Sequence, residues 1–253
     1  MLKRPFLDDE KSQTQLFKSI YIATKFTNYH LIDIMKYLKF KNSHEQVPIG
    51  KLVCVGRNYA AHAKELGNNV PEFPIIFLKP ASNVIFSGES IIHPSYSNEM
   101  HHEVELVLYI GETVKNANNE KAENAIQGYT VGLDMTLRDL QMEFMKKGEP
   151  WTLAKCFDTA AVLTEVVLKK DYSLRGNENI SLSVNGMTRQ NSSIKNMIFS
   201  PVEIVKYIST RMTLEKGDLI FTGTPEGVGK VVPGNKIDAE IENIGKISTQ
   251  VIK

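Results

Sequence analysis

The sequence predicts a β-rich α+β fold, and three observations predict it. Short apolar stretches with strand alternation recur along the chain, Gly, Pro and Asn turn signals separate them, and only a few stretches carry helical spacing. The 253 residues, 42% hydrophobic and 23% charged, are ordinary for a globular chain and long enough to bury a large core. A formal net charge of +1 leaves no footprint for nucleic acid or an anionic membrane. Cys54 and Cys156 stand far apart, so no disulfide framework is expected and a reducing compartment fits. No apolar run reaches the roughly 20 residues that span a bilayer, and the N-terminus has neither a signal-peptide core nor an Arg-rich, acid-poor presequence. The expected location is the cytoplasm.

Residues 1–34 have mixed polarity, with a possible helix over Gln13–Tyr21, and read as an N-terminal extension of a domain spanning residues 35–253. Met35–Phe40 alternates like a strand, Pro48-Ile49-Gly50 turns, and Leu52–Val55 is a second strand broken by Gly56-Arg57-Asn58-Tyr59. Ala60–Leu66 reads as a short helix stopped by Gly67. His62 and Glu65, three apart, share one face of it, either as an exposed pair or as a functional one. Ile75–Leu78 is a strand ending in Lys79-Pro80.

From Glu103 the alternation is regular. Val104, Leu106, Leu108 and Ile110 fall on one strand face, and Glu103, Glu105, Val107 and Tyr109 on the other. Two carboxylates side by side on a half-buried strand repel, so a cation is expected between them, unless they form the solvated face of an edge strand. Gly111–Glu123 reads as a polar connection and Gly128–Asp134 as a strand carrying Asp134 at its end. Glu103, Glu105 and Asp134 together offer three hard oxygen ligands with places left open, a pattern that suits Mg²⁺ or Mn²⁺ better than Zn²⁺. His101 and His102 read as packing or supporting residues beside that site.

Thr136 with Asp139 suits a helix start, a shorter relative of the capping box, and the helix ends at Gly148 with Arg138 and Gln141 on one face. Beyond Lys155 come short strands, turns at Asn185-Gly186, Lys216-Gly217-Asp218 and Pro233-Gly234-Asn235, and one helix over Pro201–Met212. Gly223–Lys230 fails the phosphate-loop pattern at Thr224 and Val231. It reads either as a tight turn or as a loop in which Thr224 and backbone N–H groups hold a carboxylate.

Five motifs in this order resemble the fumarylacetoacetate hydrolase family, in its short acylpyruvase and oxaloacetate decarboxylase branch: Gly56–His62, His102–Leu106, Gly132–Thr136 with Arg138, Asp139 and Gln141, Pro150–Lys155, and Thr222–Gly229. The resemblance covers about residues 50–252. It implies a mixed β-roll, a homodimer, and a Mg²⁺ or Mn²⁺ ion on Glu103, Glu105 and Asp134. It also implies a catalytic His62 and Glu65 pair on a lid, with Lys155 catalytic and Arg57, Arg138, Gln141 and Thr224 binding a small 2-oxo acid. The leading expected activity is acylpyruvate hydrolysis through a pyruvate enolate. His62, made more basic by Glu65, would activate water, and Lys155 would stabilise the charge. Oxaloacetate decarboxylation, oxaloacetate keto-enol tautomerisation and 2-hydroxyhepta-2,4-diene-1,7-dioate isomerisation are the alternatives on the same site. A non-catalytic protein that binds dicarboxylates through the metal is the reading from another class.

Overall fold

The computed structural model describes residues 35–253; the reading of residues 1–34 as an extension, and of a helix within them, lies outside the described residues. Strand Tyr37–Phe40 (β1) turns back into Ser43–Pro48 (β2), a strand with little apolar signal because only Val47 in it is buried. Leu52–Gly56 (β3), Ala60–Glu65 (α1), Ile75–Lys79 (β4), Val84–Phe86 (β5), Ile91–Ile92 (β6), Met100–His102 (β7) and Val104–Ile110 (β8) follow. Next come Asn119–Ala125 (α2), Ile126–Asp134 (β9), Thr136–Leu137 (β10), Arg138–Lys147 (α3) and Thr152–Lys155 (α4). The rest is Ala161–Leu163 (β11), Val167–Leu168 (β12), Asn179–Val184 (β13), Met187–Ser193 (β14), Pro201–Arg211 (α5), Leu219–Phe221 (β15), Gly229–Lys230 (β16), Lys236–Ile241 (β17) and Gly245–Ile252 (β18).

Seven strands of the main sheet run in the order β4-β3-β15-β8-β9-β11-β5, and β12 pairs with β9 as the eighth. A five-stranded sheet runs β14-β13-β17-β18-β6, and a small one runs β10-β7-β16. The pairs β3 with β15, β5 with β11 and β6 with β18 are parallel, and their neighbours are antiparallel, which makes the sheets mixed. The β-rich α+β expectation holds.

β8 runs through the middle of the main sheet and is buried along its whole length. Val104, Leu106, Leu108 and Ile110 pack into a large core with the five-stranded sheet (Ile180, Leu182, Ile237, Ile241) and with Ile204, Val205 and Ile208 of α5. Val107 and Tyr109 point the other way, into a second core with Leu38, Phe40, Leu52, Cys54 and Phe221. At about 1.5–3 kcal/mol for each fully buried large apolar side chain, both faces hold the strand strongly.

The short helices have local causes. In α5, Pro201 follows the N-cap Ser200, which makes a reciprocal capping box with Glu203. Asn118 caps α2, a helix inside the stretch expected to be a polar connection. The expected Thr136 and Asp139 cap is not formed. Leu137 is the N-cap of α3 without a side-chain bond, and the Asp139 carboxylate instead accepts from Ser97 Oγ at 2.7 Å and Asn98 N at 2.9 Å. The carboxylate is shared between that loop and the helix's own Leu140 N–H at 3.0 Å, in place of the expected cap.

Candidate active site

Register brings the acids together. Val104 pairs with Leu133 and Glu105 with Gly132, so Glu103, one residue before β8, lies opposite Asp134, whose N–H donates to the Glu103 carbonyl at 2.9 Å. Oxygens of Glu103, Glu105 and Asp134 lie within 4.8 Å of one another, and all three residues are buried.

Between Glu103 and Asp134 lies the Lys155 ammonium, at the end of α4; it makes no ion pair with Glu105. Its Nζ donates to Glu103 Oε2 at 2.9 Å, Asp134 Oδ2 at 2.8 Å and Thr136 Oγ1 at 2.5 Å. Burial alone would lower its pKa, but Asp134 and Glu103 raise it well above the usual lysine value. On the other side of Glu103, Arg138 Nη2 donates to Oε1 while its Nη1 holds Gln141 Oε1 at 2.5 Å. Against burial, Lys155 and Arg138 together pull the Glu103 carboxyl well below the usual carboxylate range. Asp134 Oδ1 lies 2.9 Å from Lys79 Nζ, within ion-pair reach but off the line of a hydrogen bond, because Lys79 is directed at the carbonyls of Met135 and Ala160, each at 3.0 Å.

Glu105 is the acid left over. Its one hydrogen bond among the described residues comes from Gly223 N–H at 2.7 Å, and burial, followed by Asp134 and Glu103, pushes its pKa up against the pull of Lys155 and that N–H. Gly223 makes that approach possible: at φ of +97° it lies so close to Asn58 that a Cβ would meet Asn58 Cβ at 2.7 Å.

Helix α1 carries His62, which is 4% exposed, with Nδ1 3.3 Å from Glu65 Oε2. Burial lowers the His62 pKa against the pull of Glu103 and Glu65, so the ring is neutral at pH 7. Glu65 accepts from Gly227 N–H at 3.1 and 3.2 Å. The loop expected to hold a substrate carboxylate thus has two of its N–H groups on the protein's own carboxylates, Glu105 and Glu65. Thr224 Oγ1 donates to the Val104 carbonyl at 2.8 Å.

His62, Glu103, Glu105, Asp134, Lys155, Arg57, Arg138, Gln141 and Thr224 all line one cleft of about 40 Å³. Glu65 stands behind His62, outside that lining. The space is about that of one water molecule. A roomier cavity of about 690 Å³, between Lys39 and Lys246, contains none of these groups. Of the two cysteines, Cys54 is buried and Cys156 is half-buried, and both are free.

Sequence reasoning missed Lys79, which a strand-ending charge disguises as a surface residue, and Gln190, which stands in the polar run Met187–Ser193. His102 is buried, hydrogen-bonded to Gln190 at 3.1 Å, and lowered to about 4 by burial, which fits a supporting role.

Residues 51–252 match the family described as fumarylacetoacetate (FAA) hydrolase C-terminal. The chain belongs to that family. Among its curated relatives within the fumarylacetoacetate hydrolase family, a mitochondrial oxaloacetate tautomerase of Arabidopsis thaliana is 47% identical over 201 residues, 79% of this chain and 90% of the relative. The oxaloacetate tautomerase YcgM of Escherichia coli is 40% identical over 206 residues, 81% of this chain and 94% of the relative. The crystal structure of fumarylpyruvate hydrolase from Pseudomonas aeruginosa in complex with Mn²⁺ and pyruvate superposes with a TM-score of 0.84 at 40% identity, covering 87% of this chain and 96% of that one. Among the described residues no helix is long and apolar enough to cross a membrane.

Proposed function

We propose that this chain is a divalent-metal-dependent enzyme of small 2-oxo acids, and that oxaloacetate keto-enol tautomerisation is its leading reaction. The observation that carries the reading is the narrow cleft that brings a buried imidazole together with three carboxylates and an ammonium. Acylpyruvate hydrolysis, first in the sequence-based expectation, moves to second place because curated relatives 40–47% identical are named oxaloacetate tautomerases.

A divalent cation fits the residues present. Among the described residues Asp134 Oδ1 is buried without a hydrogen-bond partner, Glu105 is hydrogen-bonded to a backbone N–H and not to a cation, and the donor set is all oxygen. A Mg²⁺ or Mn²⁺ ion on Glu103, Glu105 and Asp134 would act as a Lewis acid toward the keto oxygen and one carboxylate oxygen of the substrate. The chain's own groups do the rest. Arg57 lines the cleft and Arg138 has Nε free of any hydrogen-bond partner, so both guanidinium groups are suited to substrate carboxylates. His62, with Nδ1 held by Glu65, presents Nε2 as a base that takes the proton from C3. Lys155 steadies the negative charge that gathers on the C2 oxygen, and the proton that His62 took from C3 is returned to that oxygen, directly or through a water, which completes the isomerisation and restores the neutral base. Closure of α1 keeps water from the developing charge.

The similarity to a fumarylpyruvate hydrolase favours the second reading, in which His62 activates a water that attacks the distal carbonyl of an acylpyruvate. Both reactions pass through the same charge at C2. A Dictyostelium discoideum relative, 43% identical over 195 residues, is named an oxaloacetate decarboxylase, a third use of that charge. The proposal keeps the homodimer and the cytoplasmic location that the sequence led us to expect.

One preparation with Mn²⁺ tests the order: loss of enol absorbance from oxaloacetate, and pyruvate release from oxaloacetate, acetylpyruvate and fumarylpyruvate. Faster pyruvate release from an acylpyruvate than enol conversion of oxaloacetate would reverse the two readings. Oxalate and Mn²⁺ binding without turnover of any of them would make the chain a binding protein.

A further inference from the structure

Gln190 is fully buried, at 0% exposure, in β14, an edge strand whose other residues are all exposed or half-buried. Its side chain leaves its own sheet and reaches the backbone between Glu103 and Glu105. Oε1 accepts from Val104 N at 3.1 Å and faces His102 Nδ1 at 3.1 Å. Nε2 donates to Thr224 Oγ1 and to the Pro225 carbonyl, each at 2.8 Å. The amide orientation is settled by chemistry: Val104 N–H is only a donor and the Pro225 carbonyl only an acceptor, so oxygen and nitrogen cannot be exchanged. His102 Nδ1 must then carry a proton. Every donor and acceptor of the amide is in use.

The partners matter more than their number. Val104 separates Glu103 from Glu105, and both its backbone groups are held from outside the strand, the N–H by Gln190 and the carbonyl by Thr224. Thr224 and Pro225 belong to the loop that gives its Gly223 N–H to Glu105 and its Gly227 N–H to Glu65. Gly227 itself lies against the residue before Gln190, since a Cβ on it would meet the Arg189 carbonyl at 2.0 Å. One amide therefore stands between the backbone that aims two carboxylates and the loop that anchors the roofing helix.

We propose that Gln190 is a positioning residue that couples closure of α1 to the placement of Glu103 and Glu105. This rests on the proposed use of the site, since it assigns Glu103, Glu105 and α1 the roles given above. The coupling is tested by splitting the amide. Gln190→Glu keeps acceptors for Val104 and His102 but loses both donors to the loop. Gln190→Met loses both halves.

The readout is the fluorescence of Trp151, the single tryptophan, which lines the cleft. The full chain is titrated with Mn²⁺ and then with oxalate, a stable mimic of a 2-oxo acid enolate. Gln190→Glu is expected to hold Mn²⁺ within about threefold of the parent while oxalate affinity and kcat fall by about 10- to 100-fold, the usual cost of losing an outer hydrogen bond at such a site. Gln190→Met should weaken Mn²⁺ as well. In a cycle with Glu65→Ala, the oxalate losses should be less than additive, because both changes act through the same loop.

Parent-like oxalate affinity in a folded Gln190→Glu protein, or additive losses in the cycle, would overturn the coupling. Should Gln190→Glu fail to fold, Thr224→Val against Thr224→Ser asks the same question from the loop side: loss in the first with recovery in the second supports the coupling, and equal behaviour overturns it. A parent chain that binds neither Mn²⁺ nor oxalate would count against the proposed function, a result distinct from any of these.

Discussion

Replacing Lys155 with Met separates the charge balance of the site from its chemistry. The ammonium lies 2.9 Å from Glu103 Oε2 and 2.8 Å from Asp134 Oδ2, with its side chain only 4% exposed. Its removal leaves Glu103 with Arg138 alone and Asp134 with Lys79 alone, and strips a donor from Thr136. Breaking a buried ion network by removing one partner costs about 3–5 kcal/mol. At roughly 2–4 °C per kcal/mol for a domain of this size, Lys155→Met should lower Tm in EDTA by about 6–20 °C. Saturating Mn²⁺ should recover more of that in the variant than it adds to the parent, whose gain is about 2.7 kcal/mol at a hundredfold excess over Kd. The bound cation replaces the charge that the substitution removed. Turnover at saturating Mn²⁺ should stay about 10²- to 10³-fold below the parent despite the recovered stability, because the donor that steadies the C2 oxygen is gone. The contribution to stability is present throughout the neutral range, since the folded pKa is raised, and it is lost only as pH climbs past the ordinary lysine value of about 10.4. Differential scanning fluorimetry with and without Mn²⁺ measures all of this. Equal Mn²⁺ gains in the two proteins would refute the idea that Lys155 and the metal answer the same carboxylates.

Three further outcomes are expected. His62→Ala should slow oxaloacetate tautomerisation and acylpyruvate hydrolysis by about 10²- to 10⁴-fold but decarboxylation much less, since the last needs neither a C3 proton removed nor water activated; equal losses in all three, with parent-like oxalate binding, would remove the base assignment. Because burial lowers the His62 pKa, the acid limb of kcat/KM should have its midpoint below the ordinary histidine value of about 6.5, and the stability that the neutral ring contributes should be lost as pH falls through that lowered value; an acid-limb midpoint at or above 6.5 contradicts the geometry. A chain of residues 35–253 should fold and keep activity, because the family match begins at residue 51; an insoluble or inactive truncation would show that residues 1–34 belong to the working enzyme.

The acids were legible because each obeys a local rule: Glu103 and Glu105 share a strand period, and Asp134 ends the next strand of the sheet. His62 and Glu65 were legible as a helical pair. Lys155 came only from the resemblance, since nothing in Thr152–Lys155 says that its last side chain turns inward. Lys79 and Gln190 stayed hidden because burial of a polar side chain is decided by what distant segments bring over it, and the carbonyls of Met135 and Ala160 and the loop at Thr224 are remote in sequence. The missed helix Asn119–Ala125 buries only Ala122 and Ala125, too thin an apolar stripe to show a period. The missed strand Ser43–Pro48 has one buried residue, Val47, and one point defines no alternation.

A strand sandwiched between two separate cores cannot slip by one residue without exchanging Val104, Leu106 and Leu108 for Val107 and Tyr109 on both sides at once. The carboxylates at its start therefore lose their spacing only when the whole sheet lets go. Helix α1 has six residues, of which only His62 and Ala63 are buried, so far less burial holds it than holds the sheet. Amide exchange should reflect this division, with Val104–Ile110 exposed only through global unfolding and Ala60–Glu65 through small local openings. Mild denaturant would then abolish ligand enclosure well before it abolishes metal binding, so the enzyme has two thresholds of failure, one for each part of its site.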